Sequence, residues 1–155
     1  MTHISELASA VQQRVSLYVG CSREQALTYA CEDVVVDVLG SHEMSMPQLQ
    51  EWLNDVCEQE DIDAPALASL HGNSRVAGST DIINNIVCVR GDTPSVAVVL
   101  HELAHVMSRS EDHDESFRTC IVDLWRRHMS VEHAALLWNL YGASELSTGK
   151  WHSNT

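Results

Sequence analysis

The sequence predicts an α+β fold: a mostly helical body with a small sheet of two or three strands beside one strongly apolar helix. Three observations predict it. Apolar residues recur at helical spacing over most of the chain. From Ser74 the character changes, and Ile86-Val87-Cys88-Val89-Arg90 reads as a strand, rich in β-branched residues and closed by Gly91-Asp92. Finally, Val98-Val99-Leu100-His101-Glu102-Leu103-Ala104-His105-Val106-Met107 sets two histidines and a glutamate in an otherwise apolar run.

The helices follow in order. Leu7, Val11, Val15 and Tyr18 mark a first helix from about Ser5 to Tyr18, with Gly20 as its stop. Ser22-Arg23-Glu24-Gln25 has the S-x-x-Q form of a capping box and opens a second helix to about Leu39, before Gly40. Val34-Val35-Val36 has strand propensity, but the signals at both ends favour helix. Met46-Pro47 begins a third helix with Leu49, Trp52, Leu53 and Val56 as its apolar stripe. Ala66 to Leu70 reads as a short helical turn, His71-Gly72-Asn73 as a turn, and Arg75 to Ser79 as a short strand. Thr93 suits an N-cap and Pro94 a first helical residue for the apolar helix. After a polar break from Ser108 to Asp112, Phe117, Cys120, Ile121, Leu124, Trp125 and His128 share one helical face. A last helix runs from about Val131 to Tyr141, closed by Gly142. The expected organisation is one domain over 1–146, with a helical scaffold over 1–70 and the sheet and metal-site part over 74–142; 147–155 reads as a flexible polar tail.

Composition sets the limits. At 155 residues, 45% hydrophobic and 20% charged, the chain belongs to the soluble globular class. No apolar run approaches the ~20 residues of a membrane span, and no signal peptide is visible, so a cytoplasmic location is expected. The five cysteines are scattered, with no C-x-x-C pair, and read as buried hydrophobes rather than a disulfide framework or zinc knuckle. Acidic residues outnumber basic ones 22 to 9, for a formal charge of −13. That field disfavours nucleic acid and anionic membrane as partners and fits a peptide or protein substrate, a basic one in particular.

The chemistry lies in H-E-x-x-H. On a helix of about 3.6 residues per turn, His101 and His105 stack on one face and can share one Zn²⁺ per chain. A zinc ion with three protein ligands keeps one position open, and Glu102 beside the first histidine is placed to act as general base on a water there. A helix buried all round is unusual with two histidines and a glutamate, unless those residues have a partner inside. His113, just past the polar break, is the candidate third ligand; Asp114, Glu115, Asp123 and Glu132 are the alternatives. His128, His133, Tyr141 and Arg90 are available as oxyanion donors, and none stands out. Trp125 and Trp138 read as core, and His42, His71 and His152 as surface.

His101-Glu102-Leu103-Ala104-His105, followed by His113-Asp114-Glu115-Ser116-Phe117, resembles the H-E-x-x-H…H-G-x-x-F/W pattern of SprT-like and related minimal zinc peptidases. It is more similar still to small bacterial and phage metallohydrolases, whose next helix ends in a basic-aromatic stretch like Leu124 to Met129. The resemblance covers Ser74 to Gly142. It implies a minimal zincin fold, with His101, His105 and His113 as ligands, Glu102 as general base, and peptide-bond hydrolysis by a zinc-activated water. It also implies an edge strand that pairs with extended substrate; Ile86 to Arg90 is the candidate for it, an ordinary core strand being the other reading. Asp114 stands where the family has glycine, as an N-cap or a group supporting the site. The loop between His105 and His113 is shorter than in SprT-like proteins, so their DNA-linked role is not expected. Ser108 and Glu111 stand where the metzincin pattern requires glycine and histidine. Two other readings are a non-catalytic zinc-binding regulatory module and a hydrolase of a non-peptide amide.

Overall fold

The computed structural model describes residues 3–71 and 77–151. In chain order its elements are α1 (Ile4–Arg14), a 3-10 turn (Val15–Leu17), α2 (Arg23–Leu39), α3 (Met46–Gln59), β1 (Ala66–Ser69), β2 (Gly78–Asp81), β3 (Ile86–Val89), α4 (Val96–Ser108), α5 (Glu115–His128) and α6 (Val131–Ala143). The fold is α+β, as the sequence predicts. The chain divides into two compact units, one running to Gly40 and resuming at Ser110, the other spanning Ser41–Arg109. This boundary differs from the division at residues 70–74 drawn from the sequence. The reason is packing: α3 lies on β1, whereas α6 associates with the first two helices and carries α5 with it.

The first unit is helical. Helix α6 packs against α1, α2 and α5, and α1 against α2. The S-x-x-Q signal starts α2, where Ser22 Oγ accepts from the Gln25 backbone N–H at 3.1 Å. Gly40 ends that helix at a φ of 78°, a conformation a side chain would strain. The three consecutive valines are helical. Val11, Val35, Phe117, Ile121, Trp125, Leu137 and Tyr141 are fully buried and form the core of the unit. Arg14 bridges Asp33 and Asp37, and the Tyr18 hydroxyl donates to Asp33, tying the 3-10 turn to α2.

The stretch after α6 has defined partners, although its polar composition reads as a loose tail. Gly149 N–H donates to Thr119 Oγ1 at 2.8 Å, and Trp138 Nε1 donates to the Gly149 carbonyl at 3.1 Å. The Arg126 guanidinium lies over the Trp151 ring at 5.0 Å. Residues 147–151 thus form a strap along α5 and α6. The remainder of the expected tail, with His152, lies outside the described residues.

The second unit builds a three-stranded sheet of order β1-β3-β2, parallel between β1 and β3 and antiparallel between β3 and β2. Two expectations are corrected. Ala66 to Ser69 is a strand rather than a helical turn, because its backbone pairs with β3: Ala66 N–H donates to the Asn85 carbonyl and Leu70 N–H to the Val89 carbonyl. The strand over Ile86 to Val89 forms as expected, but it is central, with a neighbour on each side, so it offers no edge to a substrate. Its Val87 and Val89 are fully buried, each contributing roughly 1.5–3 kcal/mol. The start of the outer side of β1 is covered by Gln50 of α3, whose Oε1 accepts from Leu67 N–H at 2.8 Å and whose Nε2 donates to the Pro65 carbonyl at 3.2 Å. The strand predicted over Arg75 to Ser79 is found at Gly78–Asp81; Arg75, Val76 and the Gly72-Asn73 turn lie outside the described residues.

Helix α3 begins with a complete capping box, Ser45 with Gln48, and Pro47 in its first turn. Helix α4 starts later than predicted. Its N-cap is Ser95, not Thr93: Ser95 Oγ accepts from Val98 N–H at 3.4 Å. The Pro94 carbonyl is taken by Met44 N–H, and Val96 N–H donates to the His42 carbonyl, so pairing with the 41–44 segment fixes where the helix begins. Ser95→Ala is expected to cost about 0.5–2 kcal/mol of stability, and Thr93→Ala almost nothing. Urea unfolding midpoints of the two variants test this assignment; equal shifts would overturn it. Among the described residues, no helix is long and apolar enough to cross a membrane.

All five cysteines are free thiols. Cys31 and Cys57 are the buried ones, as expected of small hydrophobes; burial pushes the Cys31 thiol up to about 12 and the Cys57 thiol to about 11, leaving both protonated near neutrality. Cys21, Cys88 and Cys120 are half-buried.

Candidate metal centre

Helix α4 is buried along nearly its whole apolar stretch, from Val96 through His105. His101 and His105 lie one turn apart on it, with ring centroids 5.2 Å apart and planes at 70°. The helix ends in Arg109, which adopts the left-handed conformation at a φ of 51° and turns the chain out of the helical path. The loop then reaches His113, whose ring packs at a tilt against Tyr29 at 4.7 Å and edge-to-face with Phe117 at 4.8 Å. Asp114 caps α5 by accepting from Phe117 N–H at 3.0 Å.

His101, His105 and His113 are all buried, and each offers a ring nitrogen such that the three lie within 4.8 Å of one another. This histidine triad could hold a metal ion. The donor set fits one: imidazole nitrogens suit zinc, copper, iron or nickel and not the oxygen-seeking calcium or magnesium. The alternative ligands are placed otherwise. Asp114 serves as the cap, Glu115 and Glu132 are exposed, and Asp123 lines a small cavity with Thr119, Arg126 and Trp151.

Glu102 follows His101 and is therefore rotated by about 100° around the helix. It points at β2. Thr80 Oγ1 donates to Glu102 Oε2 at 2.5 Å and approaches the Glu102 backbone carbonyl at 3.2 Å. Gly78 leaves room for the carboxylate, since a Cβ there would stand 2.8 Å from Glu102 Oε1. Glu102 is 5% exposed, yet among the described residues its carboxylate has no cationic partner. A buried carboxylate without a counter-ion is costly, and a cation held by the neighbouring histidines would offset that cost.

The strand beside Glu102 is β2, an edge strand. Arg90 N–H donates to the Ala77 carbonyl, and the antiparallel register then turns the backbone groups of Ser79 and Asp81 toward β3 and those of Gly78 and Thr80 outward. The outward groups make no hydrogen bond to other described residues.

Of the candidate oxyanion donors, His133 is engaged elsewhere and Tyr141 is buried. The His133 ring engages Ser130 Oγ at 2.7 Å and the Gly40 carbonyl at 2.8 Å. Tyr141 is fully buried in the helical unit, and desolvation holds its hydroxyl well above the usual tyrosine range. Trp125 is core, as expected, while Trp138 is half-buried beneath the strap; His42 and His71 are exposed. Sequence reasoning missed Thr80 and Gly78, which precede the motif by a whole strand and carry no recognisable spacing to it. It also missed Arg118, a buried cation that donates to the His113 carbonyl at 2.5 Å.

Comparisons of the chain with protein-family models, curated proteins and solved structures found no match to any of them.

Proposed function

We propose that the protein is a zinc-dependent metallopeptidase, with His101, His105 and His113 holding one zinc ion and Glu102 as general base. The observation that carries this reading is the buried Glu102 carboxylate: among the described residues it has no ion-pair partner, it follows a candidate ligand histidine directly and it is oriented by Thr80. A zinc ion that served structure alone would have no use for such a group and is usually closed by a fourth protein ligand. When bound, zinc polarises a carbonyl and acidifies water, which supplies the electrophilic half of the chemistry.

The protein's own residues supply the rest. Glu102 takes the proton of the attacking water and passes it to the departing amine nitrogen. The Thr80 hydroxyl, by donating to Oε2, leaves Oε1 to handle that proton. An extended peptide adds to the outward edge of β2, where Gly78 and Thr80 present backbone donors and acceptors beside Glu102. The substrate wall in this reading is β2, in place of the Ile86 to Arg90 candidate drawn from the resemblance. The net charge of −13 fits a basic peptide. The SprT-like resemblance supports the same reading.

The test is a peptide-library cleavage assay on zinc-loaded protein, with chelator-treated protein beside it. Cleavage that disappears with the chelator and returns on adding zinc is expected. Stoichiometric zinc with no cleavage of any library member would overturn the peptidase reading and leave a metal-binding module.

A further inference from the structure

Arg118 is 2% exposed, and each nitrogen of its guanidinium makes at least one hydrogen bond. Nη1 donates to the His113 carbonyl at 2.5 Å and to Glu24 Oε1 at 2.7 Å; Nε donates to the Ser147 carbonyl at 2.8 Å, and Nη2 to Ser147 Oγ at 3.3 Å. One planar fork thus fastens three segments: the first turn of α2, the residue before the Asp114 cap, and the first residue of the strap. Its single carboxylate partner, Glu24, is 55% exposed. Burying a guanidinium is expensive unless its donors are satisfied, and here two of the three segments contribute neutral oxygens. The cost is incurred beside His113, the one member of the triad that comes from a loop and not from α4.

We propose that Arg118 is the positioning residue of the third ligand, and that the strap over residues 147–151, by holding Arg118 through Ser147, sets the affinity of the site for its metal. The inference rests on His113 as a ligand and needs no peptidase activity. The imidazole orientation is fixed from two sides: Tyr29 and Phe117 bound the ring, and Arg118 anchors the backbone that carries it. The strap is itself held away from the triad, by Thr119 and Trp138 on Gly149 and by Arg126 on Trp151. Loosening it there removes the Ser147 acceptors from Arg118, and the anchor on His113 weakens with them.

The experiment measures zinc affinity by competition with a chromophoric chelator, and the visible spectrum of the cobalt-substituted protein, for the full chain and three variants. Each variant is measured under conditions where its metal-free form is folded by circular dichroism. Arg118→Met is expected to weaken zinc roughly 10–100-fold, the range for groups that orient a metal ligand, and to alter the cobalt spectrum. Arg118→Lys keeps the charge without the fork and should recover only part of the loss. Gly149→Val touches neither Arg118 nor a ligand, but its side chain would meet Thr119 Cγ2, which is 2.8 Å from the position of a Cβ. It should lift the strap and weaken zinc several-fold. Affinity within twofold of wild type in folded Arg118→Met overturns the proposal. If Arg118→Met does not fold, an unchanged affinity and cobalt spectrum in Gly149→Val overturn it. Wild-type protein that binds no zinc overturns the triad and this proposal with it, whereas zinc-loaded wild type without cleavage leaves this proposal standing and removes the peptidase reading alone.

Discussion

Glu102→Gln is expected to lower peptide hydrolysis by roughly 10²–10⁴-fold, the contribution of a positioned general base, while zinc stays bound. Glutamine is nearly isosteric with glutamate, and its amide oxygen can still accept the Thr80 hydrogen bond. It fits the space that Gly78 leaves open. What it cannot do is take a proton from water. Zinc analysis of the purified variant, followed by turnover on a substrate from the library assay, separates the two roles. Turnover equal to wild type would sink the mechanism. A second readout accompanies it. The metal-free wild type carries a buried carboxylate with no cationic partner among the described residues, so removing that charge should leave the unfolding midpoint of the metal-free form unchanged or higher. Activity and stability are then expected to move in opposite directions, as is common where a site retains a costly group for its chemistry.

His113→Ala is expected to weaken zinc by about 100-fold or more, beyond the roughly 10–100-fold of an outer-shell change, because it removes one of three buried donors. The neighbouring carboxylates serve as controls with distinct outcomes. Asp114→Ala should cost about 1 kcal/mol of stability through the lost cap and retain zinc; Glu115→Ala, exposed on α5, should change neither. Zinc affinity of the wild type should also fall toward acidic pH, since an imidazole coordinates only in its neutral form. Isothermal titration or chelator competition reads these effects directly. Stoichiometric, tight zinc in His113→Ala, with loss in either carboxylate variant, would transfer the third position to that carboxylate.

The elements that declare themselves in the sequence are those whose signals are local. The S-x-x-Q segment at Ser22, the apolar stripe of α3 and the H-E-x-x-H turn each lie within one helix, and each is found where the pattern predicts. Ala66 to Ser69 was illegible because Ala-Leu-Ala-Ser has no strand preference of its own; pairing with β3 and the Gln50 amide overrides its propensity. The start of α4 was misplaced for a related reason. Thr93-Pro94 is a good local signal, but the 41–44 segment takes the Pro94 carbonyl and moves the cap to Ser95. Strand order is not written in any window of sequence, so the central position of β3, and with it the edge role of β2, could not be foreseen. At the site, the three histidines were legible by type and spacing. Arg118 was not, because an arginine within α5 reads as solvated until Ser147, Glu24 and His113 are seen around it.

The glutamine amide along β1 has a consequence for behaviour at high concentration. Growth of a ladder of copies, strand against strand, needs two open edges on each molecule, one to receive and one to extend. Here Gln50 takes the Leu67 N–H and the Pro65 carbonyl at the start of the outer side of β1, so an incoming strand would meet a partly occupied edge there. Of the two edges β1 is the more obstructed, and under the proposed function a peptide or a second copy would compete for the same short β2 strand.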